Sequence, residues 1–189
     1  MRTISTAIAL FLGWPLGAVV HAQDAIPFSC PKPGTIIEAT NGGKITFGES
    51  DGLTCRYTNR AGQPVARVAV VIDGDDPNAK TYKDEFPKLW PAKVGNQISF
   101  ATAVTGGIRY TNSYTVQSVE SVTVPAGTFD VVVLQHERVG GSASARYRHL
   151  ANFYYAPTVG HMVKFEFNLL QGNRRDAPQN WEAAKIVIP

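Results

Sequence analysis

Apolar and polar residues alternate with a two-residue period along most of the chain, which is the pattern of β-strands with one buried face. The alternation is cleanest between residues 161 and 170. The apolar positions on one face of this segment are Val163, Phe165, Phe167 and Leu169. The positions between them are mostly polar or charged, so the segment predicts a strand with one face on a core and the other in water.

Turn residues separate about nine such segments. The clusters at residues 41–43 and 60–64 contain Asn, Gly or Pro and each predicts a hairpin, because Asn and Gly tolerate the positive φ of tight turns. Residues 65–73, which follow the second cluster, are predicted to form one strand. Connections this short predict a mainly β fold, a single antiparallel meander forming a strongly curved open sheet or half-barrel, with a closed barrel as the alternative.

Two long runs add detail to this sheet. Between residues 108 and 124 the apolar positions change parity after Val116 and change back by Val122. Since a one-residue slip moves side chains to the opposite face, we expect a β-bulge or a bend between these two valines. Residues 131–133 are three consecutive valines, which predicts a strand that is buried on both faces in mid-sheet.

One short helix is predicted from Asp76 towards Glu85, because Pro77 suits the first helical position. The residue before Pro87 avoids the helical conformation, so the helix would end there; a loop is the alternative. Three acidic residues lie within positions 73–76. They lack the later glutamate of a calcium-binding loop and therefore predict a solvated turn and helix cap.

Residues 1–22 have the features of a cleavable secretory signal peptide. The segment begins with a positive charge, is almost entirely apolar over residues 4–13 and ends at Ala22 in a cleavage pattern of small or compact residues. The apolar run is about half of the roughly 20 residues that a membrane-spanning helix needs, which argues against a transmembrane anchor. Cleavage between Ala22 and Gln23 would leave residues 23–189 as one β domain in the periplasm or outside the cell.

The two cysteines, Cys30 and Cys55, both follow the predicted cleavage site. In an oxidising compartment an even number of cysteines predicts a disulfide, and a pair of free thiols is the alternative. The bond would tie the N-terminal part of the domain to a predicted strand. Cys30 lies too far behind the apolar run to be the lipidated cysteine of a lipoprotein.

The charge pattern excludes a nucleic-acid surface. The formal net charge of +3 falls to +2 when Arg2 is removed with the signal peptide. The basic residues are scattered, and Arg174 and Arg175 are the only two that are adjacent. A nucleic-acid-binding protein would instead cluster them in a patch.

No local motif predicts catalysis. The Gly-x-Ser-x-Gly pattern of serine hydrolases and the glycine-rich phosphate loops are both absent. His136, His149 and His161 lack the spacing of a metal site, so they are predicted to be scattered at the surface or at strand ends. The sequence therefore predicts no enzyme, no metal and no cofactor, with an enzyme that has no recognisable motif as an alternative.

Three segments carry a resemblance to a known family. They are LWPAKVG at 89–95, VTVPAGTFD at 122–130 and FYYAPTVGHMVK at 153–164. Together they resemble the DUF3108-like group of exported bacterial proteins, over about half of the mature chain. Tyr154 stands where that pattern usually has Trp, and Thr158 where it usually has Gly. In shape the resemblance implies an open half-barrel with an apolar concave face, as in envelope carriers of lipids and lipoproteins, and it implies no catalytic residue.

An open sheet of this kind leaves an apolar face that must contact something. The predicted ligand face consists of Tyr110, Tyr114, Phe129, Val163, Phe165, Phe167 and Leu169. The first functional hypothesis is a non-enzymatic periplasmic binding or carrier module for a lipid or another apolar or amphipathic ligand. The alternative is a structural or interaction module that contacts an envelope protein and has no small ligand.

Overall fold

The computed structural model of the protein describes residues 25–104, 108–141, 146–173 and 177–189. The predicted signal peptide and its cleavage site lie outside these residues. The described residues form these elements in chain order: β1 (Ile36–Ala39), β2 (Lys44–Phe47), β3 (Thr54–Asn59), β4 (Pro64–Val68), β5 (Ile72–Asp73), α1 (Ala79–Glu85), a 3-10 turn (Phe86–Lys88), β6 (Gln97–Ala103), β7 (Arg109–Val124), β8 (Gly127–Gly141), β9 (Arg146–Ala156), β10 (His161–Gln171) and β11 (Trp181–Val187).

These strands form one antiparallel sheet in the order β5-β4-β3-β2-β1-β11-β10-β9-β8-β7-β6. Neighbouring strands of the sheet are consecutive in the chain except for β1 and β11, which pair with each other through Ile36 with Val187 and Ile37 with Ile186. The sheet is not closed, since β5 and β6 are its two edges. The predicted fold class, a mainly β open antiparallel meander with one short helix, is therefore confirmed.

The long strands follow their sequence pattern. The pairing of β7 with β8 shifts register between Val116 and Ser118, which places the bulge inside the predicted interval. Strand β8 is hydrogen-bonded on both sides, and Val131 and Val132 in its centre are fully buried. One side of this part of the sheet is polar, as shown by the hydrogen-bonded hydroxyls of Ser99 and Ser113 on β6 and β7.

The prediction of one strand over residues 65–73 is wrong. The chain reverses after Val68, and β4 pairs with the two-residue strand β5. Ala69 and Val70 form the turn with φ values of 48° and 59°, a conformation that is unfavourable for residues with a Cβ and especially for valine. Both side chains are buried, so hydrophobic contact offsets the backbone strain. An all-apolar turn has no sequence signal, which is why the pattern indicated a continuous strand.

The helix lies against β4, β5 and β6, so it covers the seam between the two edges of the sheet. It begins at Ala79, later than the sequence predicts, because the Asp76 carboxylate accepts the backbone N–H of Asn78 and holds the preceding residues in a turn. Tyr82 and Phe86 point into the fold and contact the rings of Phe100 and Tyr114.

The N-terminal segment packs on the loop that precedes β6. The disulfide between Cys30 and Cys55 is present, as predicted, and attaches this segment to β3. Phe28 contacts the rings of Trp90 and Tyr155. The Tyr155 hydroxyl also donates a hydrogen bond to the carbonyl oxygen of Ser29, 2.8 Å away, so the segment is held by covalent, apolar and polar contacts together.

The contact of this segment with the β9–β10 turn gives a prediction about Gly160. Its φ is +76°, and a Cβ at this position would lie 2.6 Å from the carbonyl carbon of Cys30. Gly62 has a similar φ of +79° but has open space around it. We expect Gly62→Ala to cost about 1–2 kcal/mol of unfolding free energy from the backbone alone, and Gly160→Ala to cost clearly more, about 3 kcal/mol or above.

Equilibrium unfolding in denaturant measures both changes on the oxidised protein. Because the two glycines share the backbone conformation, the difference between the variants isolates the clash with the N-terminal segment. Equal losses in the two variants would show that the segment does not pack on the turn.

Candidate functional site

Strand register assembles one continuous inner face on the half of the sheet between β6 and β11. One row of aligned residues runs across four strands through Tyr114, His136, Ala151 and Phe167. A second row crosses five strands and reaches β11. It runs through Val116, Leu134, Phe153, Phe165 and Trp181. Because aligned neighbours in a sheet project to the same side, these residues form a single surface.

The helix covers only one half of this inner face. Tyr82 and Phe86 of the helical segment cover Tyr114, which is fully buried. Among the residues that the structure describes, no helix lies over the half near Phe165 and Phe167, which borders a cavity. The apolar surface is therefore sealed at the β6–β7 end and accessible at the β10–β11 end.

The first cavity has a volume of about 400 Å³. Its wall consists of aromatic, aliphatic and amide side chains with two imidazoles and one guanidinium: Asn41, Arg67, Val70, Val71, His136, His149, Ala151, Phe153, Met162, Phe165, Phe167, Pro178, Gln179 and Trp181. Val70 and Val71 come from the strained turn between β4 and β5, so this turn forms part of the wall. The cavity is within the size range of small-molecule sites and shares their mainly apolar character.

A second cavity of about 220 Å³ lies beside the first. It is lined by Ile37, Ala39, Asn41, Gly43, Ile45, Tyr57, Arg67, His161 and Trp181. Asn41, Arg67 and Trp181 line both cavities and therefore mark the place where the two meet. The described residues of β10 and β11 are in register at two residue pairs, Lys164 with Glu182 and Phe165 with Trp181, and this short ladder leaves room between the two halves of the sheet.

Two of the histidines belong to a buried chain of hydrogen bonds below the first cavity. The His136 Nε2 atom lies 3.1 Å from Asn112 Oδ1, and the amide group of Asn112 donates to Thr102 Oγ1 over 2.9 Å. On its other side, His136 Nδ1 lies 3.3 Å from His149 Nε2. The Tyr147 hydroxyl in turn lies 3.0 Å from His149 Nδ1.

The amide oxygen of Asn112 can only accept, and this fixes the direction of the chain. His136 must donate from Nε2, so in the neutral ring its Nδ1 accepts from His149 Nε2–H. His149 Nδ1 then accepts from the Tyr147 hydroxyl. All four ring nitrogens have a partner, and with both rings neutral every contact pairs one donor with one acceptor.

Burial keeps both imidazoles neutral. Desolvation, the neighbouring His149 ring and the charge of Arg138 hold the pKa of His136 well below 6.5. Burial and Arg138 together lower the pKa of His149 to about 4. The same hydrogen bonds leave no imidazole nitrogen of this pair for a metal ion or for proton transfer to a ligand. In the described ranges, no three His, Cys, Asp or Glu residues are grouped so as to hold a metal ion.

His161 lies apart from this chain, in the wall of the second cavity. Its Nδ1–H donates to the Met162 carbonyl 2.9 Å away, and burial lowers its pKa to about 4. The prediction that the histidines are scattered at the surface or at strand ends is wrong for His136 and His149, which are buried within β8 and β9. His161 does lie at a strand end, as the first residue of β10, but it too is buried. The alternation does place His136 on a face, but nothing in the sequence brings it next to His149 on the neighbouring strand.

The residues of the predicted ligand face are placed in different surroundings. Phe165 and Phe167 line the first cavity, whereas Tyr114 is buried under the helix. Tyr110 packs against Tyr147 and carries the Arg138 guanidinium 4.0 Å above its ring. The remaining three members, Phe129, Val163 and Leu169, do not line this cavity.

Phe129 is separated from the rest by strand parity. It lies an odd number of residues from Leu134 on the uninterrupted strand β8, so the two project to opposite faces of the sheet. Val163 is fully buried beside the register shift at the start of β10, and Leu169 is half-buried near the far end of that strand. As a ligand surface, the face remains a prediction.

No protein-family model and no curated protein sequence matches the chain. The DUF3108-like resemblance therefore stays a prediction. Among solved structures, the chain is similar to a protein of inferred export with a YmcC-like fold from Bacteroides fragilis, at 13% identity and a TM-score of 0.46, over 86% of this chain and 99% of that one.

Two further solved structures show a similar degree of likeness. The hypothetical lipoprotein YmcC from Escherichia coli has 10% identity and a TM-score of 0.45, over 82% of this chain and 84% of its own. An inferred lipoprotein from Parabacteroides distasonis has 14% identity and a TM-score of 0.43, over 87% and 100%. None of the three names states a ligand or an activity.

The buried imidazoles predict a loss of stability in acid. Their pKa values are lower in the folded protein than the 6.5 of an unperturbed histidine. Between about pH 6.5 and pH 4 the unfolded chain therefore binds more protons than the folded one. The free energy of unfolding has its full value above this interval and decreases as the pH falls through it, by up to about 1.4 kcal/mol per pH unit for each imidazole.

Urea unfolding at pH 7 and pH 5 tests this assignment in the wild type and in His149→Gln and His161→Gln. Each variant is expected to be less stable at pH 7 and to lose less stability on acidification than the wild type. An unchanged pH dependence in both variants would mean that other groups cause the acid sensitivity.

Proposed function

We propose that the protein is a non-enzymatic binding or carrier module of the bacterial envelope that holds an apolar or amphipathic small molecule. The observation that carries the proposal is the first cavity, where Phe153, Phe165, Phe167 and Trp181 form an aromatic wall. Apolar surface that is buried only partly by the protein itself gains free energy when a ligand displaces water from it.

The compartment follows from two features. The sequence of residues 1–22 predicts export, and the Cys30–Cys55 disulfide is typical of proteins that fold in an oxidising compartment. Within the described ranges, no helix is long and apolar enough to cross a bilayer. We therefore assign the module to the periplasm or the extracellular space.

A binding role fits the chemistry of the cavity wall better than catalysis does. The imidazoles that face it are neutral and fully hydrogen-bonded within the protein. The cysteines are joined in a disulfide. These groups can give a ligand apolar contact and shape, but they are not arranged as a nucleophile with its base.

The neutral fluorescent probe N-phenyl-1-naphthylamine tests whether the cavity accepts an apolar ligand. We expect saturable fluorescence enhancement with the wild-type protein. Phe167→Gln removes part of the aromatic wall and is expected to weaken probe binding by about tenfold, since a partly lost aromatic contact is worth roughly 1.5 kcal/mol.

Leu170→Gln is the matched control. Leu170 lies on the same strand and is 46% exposed, and it does not line the cavity. The control should bind the probe as the wild type does. A wild-type protein that shows no saturable enhancement, or equal weakening in the two variants, would contradict the proposed site and favour the interaction module.

A further inference from the structure

The charge on the described lining of the two adjoining cavities is positive. With the histidines neutral, Arg67 is the one ionised side chain among the described residues that line them. None of these described residues is a carboxylate. Arg67 forms a partly exposed ion pair with Asp73, so what it can offer an anionic group is a charge-assisted hydrogen bond from its remaining N–H donors.

Arg67 is held in place from one side and available on the other. Its Nε–H donates to Asp73 Oδ1 on the neighbouring strand β5 over 2.8 Å. Its guanidinium carbon lies 6.0 Å from the centre of the Tyr57 ring. In the described part of the chain its two terminal nitrogens make no hydrogen bond, and these are the atoms that bind a carboxylate in a bidentate pair.

The position of this arginine relates the charge to the aromatic wall. Arg67 lines both cavities, together with Asn41 and Trp181, at the place where the cavities meet. The rings of Phe153, Phe165 and Phe167 line the first cavity together with Arg67. A molecule with an anionic head at Arg67 would have its apolar chain on these rings.

Resting on the binding function proposed above, we propose that the ligand is a single-chain amphiphile with a carboxylate head. The guanidinium of Arg67 binds the head, and the first cavity holds the chain. Asp73 is a positioning residue, because it fixes the guanidinium through Nε and contacts neither cavity.

Three probes with the same chain and different heads test the assignment: laurate, dodecanol and dodecylamine. Their affinities are measured by isothermal titration calorimetry at about pH 7, where the carboxylate and the amine are both ionised. We expect laurate to bind at least about tenfold more tightly than dodecanol, the gain of a charge-assisted hydrogen-bonded pair. Dodecylamine should bind most weakly, because its head carries the same charge as Arg67.

Three variants test whether the charge of Arg67, and not the structure around it, causes the preference for laurate. Arg67→Gln is expected to remove the preference for laurate and to leave dodecanol binding within about twofold of the wild type. Asp73→Asn removes the negative charge but keeps a side-chain oxygen that accepts from Arg67 Nε–H, so the guanidinium stays in position and the preference should persist. Arg56→Gln removes an equal charge from strand β3 at a residue that lines neither cavity, and it should change nothing.

The possible outcomes distinguish this inference from the function on which it rests. Equal binding of laurate and dodecanol by the wild type would overturn the carboxylate head and leave the apolar site intact. An equal loss of laurate preference in Arg67→Gln and Arg56→Gln would also overturn it, as a mere effect of net charge. If none of the three probes binds, the proposed function itself fails.

Discussion

The pairing of β1 with β11 is the contact on which the rest of the architecture depends. It joins the beginning of the domain to its end, so the meander runs outwards from this pair in both directions and its two free edges are β5 and β6. An open sheet needs something to cover its inner face, and the helix between these two edge strands does so at one end. The short contact between β10 and β11 keeps the other end open. Both cavities lie in that region, so the topology determines where a ligand could reach the core.

The inner face combines an apolar wall with a buried polar chain, and the two support each other. Tyr114 stacks on His136 with their ring centres 4.1 Å apart, while His149 lies 4.7 Å from the ring of Phe167. The imidazoles thus act as aromatic packing groups as well as hydrogen-bonding groups. Since each buried nitrogen has a partner, the chain orders these rings without leaving unsatisfied polar atoms.

The features that could be predicted from the sequence are those that depend on residues close together in the chain. Alternation placed most strands, the parity change located the bulge after Val116, and the pair of cysteines predicted the disulfide. Each depends on a local pattern or on a simple chemical pairing. The turn at Ala69 and Val70 could not be predicted, because tertiary burial of these side chains, and not their turn propensity, stabilises it.

The candidate site was harder to predict from the sequence than the fold. Alternation correctly grouped Phe165 with Phe167, which do share the cavity wall, but it could not place Tyr114 under a helix or Phe129 on the opposite face. Trp181 and Arg67 are more than a hundred residues apart in the sequence, and only the β1–β11 pairing brings them together. Such proximity depends on strand order, which is a property of the whole chain.

The contribution of β11 to the cavities has a consequence for the order of events during folding. Trp181 on β11 lines the wall together with Asn41, which lies 140 residues earlier in the sequence. The wall cannot form before β11 has paired with β1, because this pairing brings the two residues together. A ligand can therefore bind only to a chain whose sheet is complete, and a folding intermediate that lacks this pairing has no site.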